Sequence, residues 1–131
     1  MTTYRILIVD DELLIRDLLY DFFAAKEWDV IVAEGGFRAM DFLRNQRFDV
    51  VLTDLKMPDM NGLELTEKIR SLYGDLPVII MTGYPSLDSA VAAIRHKVDD
   101  YIIKPFNVNQ LFKTITTVVE GRRRGQETIA P

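Results

Sequence analysis

Charged and hydroxyl side chains follow four short apolar runs of this chain, each at the point where the run ends. Asp10 and Asp11 follow Ile-Leu-Ile-Val, Asp54 follows Val-Val-Leu-Thr, Thr82 follows Val-Ile-Ile-Met, and Lys104 follows Tyr-Ile-Ile. Carboxylate oxygens suit Mg²⁺, which keeps open positions for phosphate oxygens. Lysine offers a point charge, and threonine a hydroxyl donor, to a phosphoryl group. The residue types therefore indicate magnesium-dependent phosphate chemistry.

An aspartate can itself accept a phosphoryl group and form an aspartyl phosphate. In-line transfer depends mainly on positioning and on charge neutralisation, which a metal ion and a lysine provide. No general base is required, because a carboxylate is already ionised at neutral pH. This requirement matches a chain that has one histidine, His96, and no cysteine.

The apolar runs alternate with segments of helical periodicity. Runs of three or four apolar residues predict strands that are buried on both faces. Helices are predicted from about Glu12 to Lys26, after Gly35, from Leu63 to Leu72, after Ser86 as a cap, and after Asn107. The residues predicted to face the core are Leu65, Ile69 and Leu72 on the third helix and Leu87, Ala90, Val91 and Ile94 on the fourth.

Five strands that alternate with five helices predict an α/β fold. The expected architecture is a flavodoxin-like (βα)5 doubly wound parallel five-stranded sheet with strand order 2-1-3-4-5. That order brings the ends of the first, third, fourth and fifth strands side by side. Asp10, Asp11, Asp54, Thr82 and Lys104 are then expected at one edge of the sheet, where ligands bind in open α/β folds.

Composition narrows the function further. The 131 residues are 48% hydrophobic and carry a net charge of −4. The length fits one globular domain, and the acidic balance argues against a general nucleic-acid binder. Without cysteine there is no disulfide or thiolate metal site. No apolar run approaches a membrane span, so we expect a cytoplasmic protein without membrane contact.

A nucleotide- or flavin-binding protein on the same fold is a competing interpretation. Such proteins cradle phosphate with backbone N–H groups after the first strand, usually from Gly, Ser or Thr. Here that position reads Asp10-Asp11-Glu12, which repels phosphate unless a metal intervenes.

The chain resembles the receiver (CheY-like) domains of two-component response regulators from about Tyr4 to Glu120. Its motifs are most similar to those of the nitrogen-regulation activator type. The motifs that carry the resemblance are Val9-Asp10-Asp11-Glu12, Asp54 with Met57-Pro58-Asp59-Met60-Asn61-Gly62, Met81-Thr82-Gly83, and Asp100-Tyr101-Ile102-Ile103-Lys104-Pro105-Phe106. We accordingly expect a receiver domain over residues 1–121 and a tail or the start of a linker over residues 122–131.

The resemblance implies a role for each site residue. Asp54 would be the phosphoacceptor, and Thr82 and Lys104 would hold the phosphoryl oxygens. Mg²⁺ would be bound directly by Asp11, Asp54 and the backbone carbonyl of Lys56, and through water by Asp10. Thr82 and Tyr101 would form the switch, and the Lys104–Pro105 peptide would be cis.

The resemblance also implies a non-enzymatic signalling role, in which the domain catalyses only its own phosphorylation and slow dephosphorylation. The expected partner is a sensor histidine kinase or a phosphotransfer protein, with a phosphorylation-linked homodimer as a further hypothesis and no direct nucleic-acid binding. Phosphorylation would change the face formed by the fourth helix, fifth strand and fifth helix. The alternative is a degenerate receiver that acts as a constitutive protein-interaction module.

Two positions depart from or elaborate the family pattern. Receivers often have Gly-Ala before the last strand, where this chain has Lys97-Val98. Glycine adopts the left-handed conformation cheaply, so Lys97 is predicted either to be strained or to occupy a different turn. Lys56 and Tyr84 follow Asp54 and Thr82 by two residues, and a bulky Tyr84 is predicted to slow hydrolysis of the aspartyl phosphate.

Overall fold

The computed structural model describes residues 3–129, with side chains described as far as residue 122. Five strands alternate with five helices, as predicted. The strands are β1 (Arg5–Val9), β2 (Asp29–Ala33), β3 (Val50–Asp54), β4 (Val78–Thr82) and β5 (Asp100–Ile103). The helices are α1 (Leu13–Ala25), α2 (Gly36–Asn45), α3 (Gly62–Tyr73), α4 (Leu87–Arg95) and α5 (Val108–Ile129).

All four strand pairings are parallel, and the strand order is β2-β1-β3-β4-β5. The predicted flavodoxin-like fold is therefore confirmed. The register pairs Val9 with Thr53, Asp54 with Met81, and Thr82 with Ile103. Because parallel strands end at a common edge, this register brings the ends of β1, β3, β4 and β5 together.

The core consists of two apolar layers separated by the sheet. Ile8 and Leu52 face the layer that includes α1 and α5, whereas Leu7 and Val51 face the layer of α2 and α3. Every residue of β3 and β4 is buried. Each fully buried aliphatic side chain of this kind contributes about 1.5–3 kcal/mol, so the layers hold the strand ends in fixed positions.

The predicted inner faces of α3 and α4 are wrong at four positions. Leu72, Leu87 and Ile94 are 63%, 80% and 76% exposed, and Val91 is 37% exposed. On α4 the one buried side chain is the small Ala93. Helical periodicity identifies an apolar stripe but does not say how much of it a neighbour covers, and α4 lies against β5 at the edge of the sheet, where cover is incomplete.

The side chains that cap the starts of α4 and α5 are the ones that the sequence predicted. Ser86 caps α4, since its hydroxyl oxygen accepts from the Ser89 backbone N–H at 3.0 Å. The carboxamide oxygen of Asn107 accepts from the Gln110 backbone N–H at 3.1 Å.

At its C-terminal end, α5 continues as far as Ile129. It therefore extends beyond residue 121, where the receiver domain is predicted to end. Residues 130 and 131 of the predicted tail lie outside the described residues, and the domain boundary stays a prediction.

Lys97 adopts the left-handed conformation that the sequence made questionable. Its φ angle is +60°, in the turn that joins α4 to β5. A side chain there costs about 1–3 kcal/mol relative to an unstrained backbone. Of the two predicted outcomes, strain at Lys97 is the one that the structure contains.

Candidate functional site

Asp10 begins the site at the end of β1. Its side chain is completely buried. One carboxylate oxygen, Oδ1, accepts a 2.8 Å hydrogen bond from the Glu12 backbone N–H. The Asp10 backbone is held on both sides, since its N–H donates to the Ala33 carbonyl at 3.1 Å and its carbonyl accepts from Arg16 Nη1 at 2.7 Å. The other carboxylate oxygen is directed toward the neighbouring strand ends.

Asp54 is the last residue of β3, and the turn after it is tightly fixed. The Leu55 N–H donates to the Met81 carbonyl at 2.9 Å, and the Gly62 N–H donates to the Leu55 carbonyl at 2.7 Å. A Cβ atom on Gly62 would lie 2.5 Å from the Asp54 carbonyl oxygen, so the close approach requires glycine. Asn61 and Glu64 form a complete capping box that starts α3. These contacts leave the Asp54 side chain little freedom.

Lys104 reaches from the end of β5 into the space between the acidic groups. Its Nζ atom lies 2.9 Å from Asp10 Oδ2, 3.5 Å from Asp54 Oδ2 and 3.6 Å from Glu12 Oε1. The Lys104 side chain is 13% exposed and the Asp54 side chain 9%. The Lys104 N–H donates to the Thr82 carbonyl at 2.8 Å, and the following Lys104–Pro105 peptide is cis. The ammonium is thus placed by the sheet itself.

The charges of this group perturb one another. Burial, and then repulsion from Asp10, raise the pKa of Asp54 to about 6, although Lys104 opposes the change. Burial also raises the pKa of Asp10, against the hydrogen bond from Glu12 and the charge of Lys104. Burial lowers the pKa of Lys104, but the hydrogen bond and charge of Asp10 outweigh it, so the net pKa is raised. Two carboxylates share one cation, which leaves negative charge for a second cation to neutralise.

The donor set fits Mg²⁺. One carboxylate oxygen from each of Asp10, Glu12 and Asp54 lies within 4.8 Å of the others. All are hard oxygen donors, and Mg²⁺ needs only one or two of them beside water and phosphate. The Asp11 side chain is exposed and does not belong to this group. Its assignment as a direct ligand stays a prediction, as does that of the Lys56 carbonyl.

Thr82 and Tyr84 lie beside this group at the end of β4. Thr82 is fully buried, and its Oγ1 accepts a 2.9 Å hydrogen bond from the Tyr84 N–H. The Tyr84 ring is 70% exposed, and Lys56 Nζ lies 4.9 Å from its centre. The contact joins the loop after β3 to the loop after β4. Lys56 and Tyr84 therefore stand together at the rim, as their equivalent spacing from Asp54 and Thr82 suggested.

Tyr101 lies on β5, one strand away from Thr82. Its side chain is half-buried against the small apolar cluster of Leu55, Ile80 and Ala93. The phenol oxygen is 2.6 Å from the Ser89 hydroxyl on α4. Tyr101 is thus linked to the helix that precedes its strand, and its switching role stays a prediction.

Sequence reasoning missed three residues that position the site. Glu12 is the third carboxylate near Lys104, and the acidic run that contains it was a usable signal. Arg16 donates a hydrogen bond to the Asp10 carbonyl, and no sequence motif indicated this contact. Asp59 accepts hydrogen bonds from the N–H groups of Gly36 at 3.2 Å and Phe37 at 3.0 Å, so the loop after β3 is tied to the start of α2.

The family model described as the response regulator receiver domain matches residues 6–116. The chain is 32% identical over 124 residues to the transcriptional regulatory protein ZraR of Klebsiella oxytoca, which covers 95% of this chain and 28% of that protein. It is 40% identical over 107 residues to the regulatory protein AtoC of Escherichia coli. That alignment covers 82% of this chain and 23% of AtoC. The chain thus spans about a quarter of the length of these curated relatives.

Solved structures show the same architecture. A CheY-like receiver domain protein from Methanospirillum hungatei superposes with a TM-score of 0.91 at 32% identity, covering 95% of this chain and 99% of that one. The response regulator TrrA of Thermotoga maritima, solved in complex with Mg²⁺ and BeF, gives 0.79 at 31% identity, with coverages of 88% and 98%. Within residues 3–129, no helix combines the length and apolar character needed to span a membrane.

Proposed function

This chain belongs to the response regulator receiver domain family, and we propose that it is a phosphorylation-dependent switch whose phosphoacceptor is Asp54. One observation carries the proposal: the buried Lys104 ammonium lies within 3.5 Å of both Asp10 and Asp54. A cation beside a nucleophilic carboxylate is what phosphoryl transfer requires, because the reaction depends on positioning and charge neutralisation.

In the proposed reaction, one Asp54 carboxylate oxygen forms a bond to the phosphorus of a phosphohistidine on a partner kinase or phosphotransfer protein. The phosphorus–nitrogen bond breaks, and the imidazole nitrogen regains its electron pair. Lys104 exchanges its contact with the Asp54 carboxylate for one with a phosphoryl oxygen. Outside its own phosphorylation and slow dephosphorylation the domain has no enzymatic role, as is general for receiver domains.

Asp10, Asp11, Asp54 and the Lys56 carbonyl would hold Mg²⁺, and Glu12 is placed to assist. When bound, the ion supplies positive charge that offsets the phosphoryl oxygens. Asp10 holds Lys104 at 2.9 Å and keeps it facing the acceptor. Asp10 is buried and Lys104 is largely buried, and the attraction between their opposite charges is stronger there than it would be in water.

Thr82 and Tyr101 would convert the chemical change into a change of surface. A phosphoryl oxygen offers the Thr82 hydroxyl a charged acceptor, which favours its movement toward Asp54. The space that this movement opens would let the Tyr101 ring turn inward and give up its contact with Ser89. The face of α4, β5 and α5 would change, and we propose that a partner, an output domain or a second copy of the domain binds there.

The degenerate receiver is the alternative. It would keep the fold and lack the chemistry, but every position that the chemistry requires carries a suitable residue. Beryllofluoride with Mg²⁺ separates the two, because only a working acceptor site should respond with shifts at Thr82 and Tyr101 in an amide NMR spectrum.

The deciding experiment is treatment with a small phosphodonor, such as phosphoramidate, in the presence of Mg²⁺. The wild type should gain one phosphoryl group by intact-protein mass spectrometry, and Asp54→Asn should gain none. Asp41→Asn is the matched control, since it removes the same charge from an exposed position on α2 and should be labelled like the wild type. Equal labelling of Asp54→Asn and the wild type would refute the assignment.

A further inference from the structure

The first turn of α2 receives its cap from a distant part of the chain. The residue at the N-cap position is Gly35, which has no side chain to offer, and the first turn contains no acidic residue. The carboxylate of Asp59, in the loop that joins β3 to α3, accepts instead from the N–H groups of Gly36 at 3.2 Å and Phe37 at 3.0 Å. N–H groups in a first turn have no partner within the helix, so Asp59 takes the place of an N-cap side chain.

The loop after β3 lies directly against this turn. A Cβ atom on Gly35 would lie 2.7 Å from Asp59 Oδ2, and a Cβ atom on Gly36 would lie 2.8 Å from Met60 Sδ. An ordinary capping residue at position 35 would therefore push the Asp59 carboxylate away. The two glycines permit the close approach, and the missing local cap is part of the same arrangement.

The contact restrains the loop as well as the helix. Within the part of the chain that the structure describes, the Asp59 side chain provides the only hydrogen bonds between residues 56–60 and another element. Met60 is 5% exposed and packs in the apolar layer of α2 and α3. Lys56 precedes both residues, and its side chain contacts only the exposed Tyr84 ring at the rim. The backbone at Lys56 is thus held in place chiefly through Asp59 and Met60.

A cap that acted only on α2 would not need to come from this loop. An aspartate at the N-cap position itself supplies the same hydrogen bonds and the same favourable charge at a helix N-terminus. Because the cap comes from Asp59, a displacement of the loop breaks hydrogen bonds at α2. The loop after β3 and the first turn of α2 are therefore coupled mechanically.

We propose that Asp59 is a positioning residue for the Mg²⁺ site, which fixes the Lys56 backbone carbonyl by tying the loop after β3 to α2. The inference rests on the proposed function, in which that carbonyl and the Asp54 carboxylate hold the ion. Residues that orient metal ligands contribute to affinity without touching the metal. A loop that is already ordered also avoids the loss of conformational entropy that binding would otherwise require.

The test is a titration of the magnesium-free protein with MgCl₂ at constant ionic strength, followed by the amide NMR signals of Asp54, Leu55 and Lys56. Asp59→Ala should weaken Mg²⁺ binding about tenfold, at the low end of the effect of residues that orient metal ligands. An unchanged dissociation constant in Asp59→Ala, beside a wild type that binds Mg²⁺, would overturn the positioning role and leave the proposed function intact. A wild type that binds no Mg²⁺ would overturn both.

A double variant separates the tie to the loop from the cap of the helix. Gly35→Asp combined with Asp59→Ala keeps the net charge and returns a carboxylate to the start of α2, in space that removal of the Asp59 carboxylate opens. The midpoint of urea unfolding should return toward that of the wild type, whereas Mg²⁺ binding should stay about tenfold weaker. Wild-type Mg²⁺ binding in the double variant would show that Asp59 acts only as a cap or as a charge, and would overturn the proposal.

Leu43→Val controls for a general loss of stability. Leu43 is 5% exposed and lies toward the opposite end of α2 from the Asp59 contact. The substitution destabilises the helix packing by removing buried apolar volume, and it should change Mg²⁺ binding less than twofold. If Leu43→Val weakened Mg²⁺ binding as much as Asp59→Ala, the specific role of Asp59 would be refuted.

Discussion

The Lys104 ammonium lies 2.9 Å from the Asp10 carboxylate although 94 residues separate them in the chain. β5 lies at one edge of the sheet, and β1 is three positions away from it. The Lys104 side chain extends from the β5 end and the Asp10 side chain from the β1 end, and the two charged groups meet beside Asp54 at the end of β3. The contact holds the cation beside Asp54, at 3.5 Å from its Oδ2 atom.

Replacing Lys104 with methionine should lower the free energy of unfolding at pH 7 by about 3 kcal/mol, because loss of one partner leaves buried carboxylates without compensation. Adding Mg²⁺ should recover part of the loss if the ion binds Asp10 and Asp54. Urea unfolding with and without Mg²⁺ measures both effects. Lys68→Met is the control and should change stability by less than about 0.5 kcal/mol. Wild-type stability in Lys104→Met would show that the cation is not needed there.

Asp54 should make the magnesium-free protein less stable as pH rises. Burial and Asp10 raise its pKa from 3.8 to about 6, so the folded state holds this proton more tightly than the unfolded state. The free energy of unfolding therefore falls between about pH 4 and pH 6 and then levels off, by at most about 3 kcal/mol. Asp54→Asn should be more stable than the wild type at pH 7.5 and equal to it near pH 4.

Asp59 provides a control of opposite sign for this pH dependence. Burial raises its pKa, but hydrogen bonds from the Phe37 and Gly36 N–H groups outweigh burial, so the net pKa is lowered. Asp59→Asn should therefore reduce stability at pH 7.5, in contrast to Asp54→Asn. Urea unfolding at several pH values makes the comparison. If both variants shifted stability in the same direction, the electrostatic account of Asp54 would be wrong.

Tyr84 should lengthen the lifetime of the phosphorylated state. Its exposed ring and the Lys56 ammonium, 4.9 Å apart, stand at the rim beside Thr82. In the proposed phosphorylated state they would restrict the path of water to the aspartyl phosphate, so Tyr84→Ala is predicted to speed dephosphorylation several-fold. Tyr84→Phe, which keeps the ring, should leave the rate unchanged. The decay of labelled protein after removal of the phosphodonor measures this rate, and the same rate in all three proteins would exclude shielding.

Gly62 and Gly121 should respond in opposite ways to alanine. A Cβ on Gly62 would lie 2.5 Å from the Asp54 carbonyl oxygen, whereas a Cβ on Gly121 meets nothing within 4 Å. Gly62→Ala should cost about 2–3 kcal/mol by displacing the backbone at Asp54. Gly121→Ala should gain about 0.5–1 kcal/mol, since alanine is the better helix former. Thermal unfolding followed by circular dichroism distinguishes them, and a neutral Gly62→Ala would mean that the turn can relax.

Much of the site could be predicted because it depends on the order of the strands along the chain and on their parallel arrangement. Buried parallel strands appear as continuous apolar runs, and whatever follows each run must lie at the shared edge. Asp10, Asp54, Thr82 and Lys104 were located by that rule. Strain at Lys97 was one of the two outcomes that the sequence predicted, for a similar local reason: the backbone preference of a residue does not depend on distant contacts.

The contacts that span the fold were decided by the tertiary structure. The attachment of Asp59 to α2, the support of Asp10 by Arg16, and the exposure of Leu87 and Ile94 depend on how far one element lies from another. The same holds for Asp11, which shares the acidic run with Asp10 yet is exposed beside the buried group. The sequence by itself determined the fold class and which side chains meet at the strand ends, because these follow from periodicity and order. Only the packed structure decided which carboxylates are buried around Lys104, because burial depends on the distances between layers and not on the residues of any one of them.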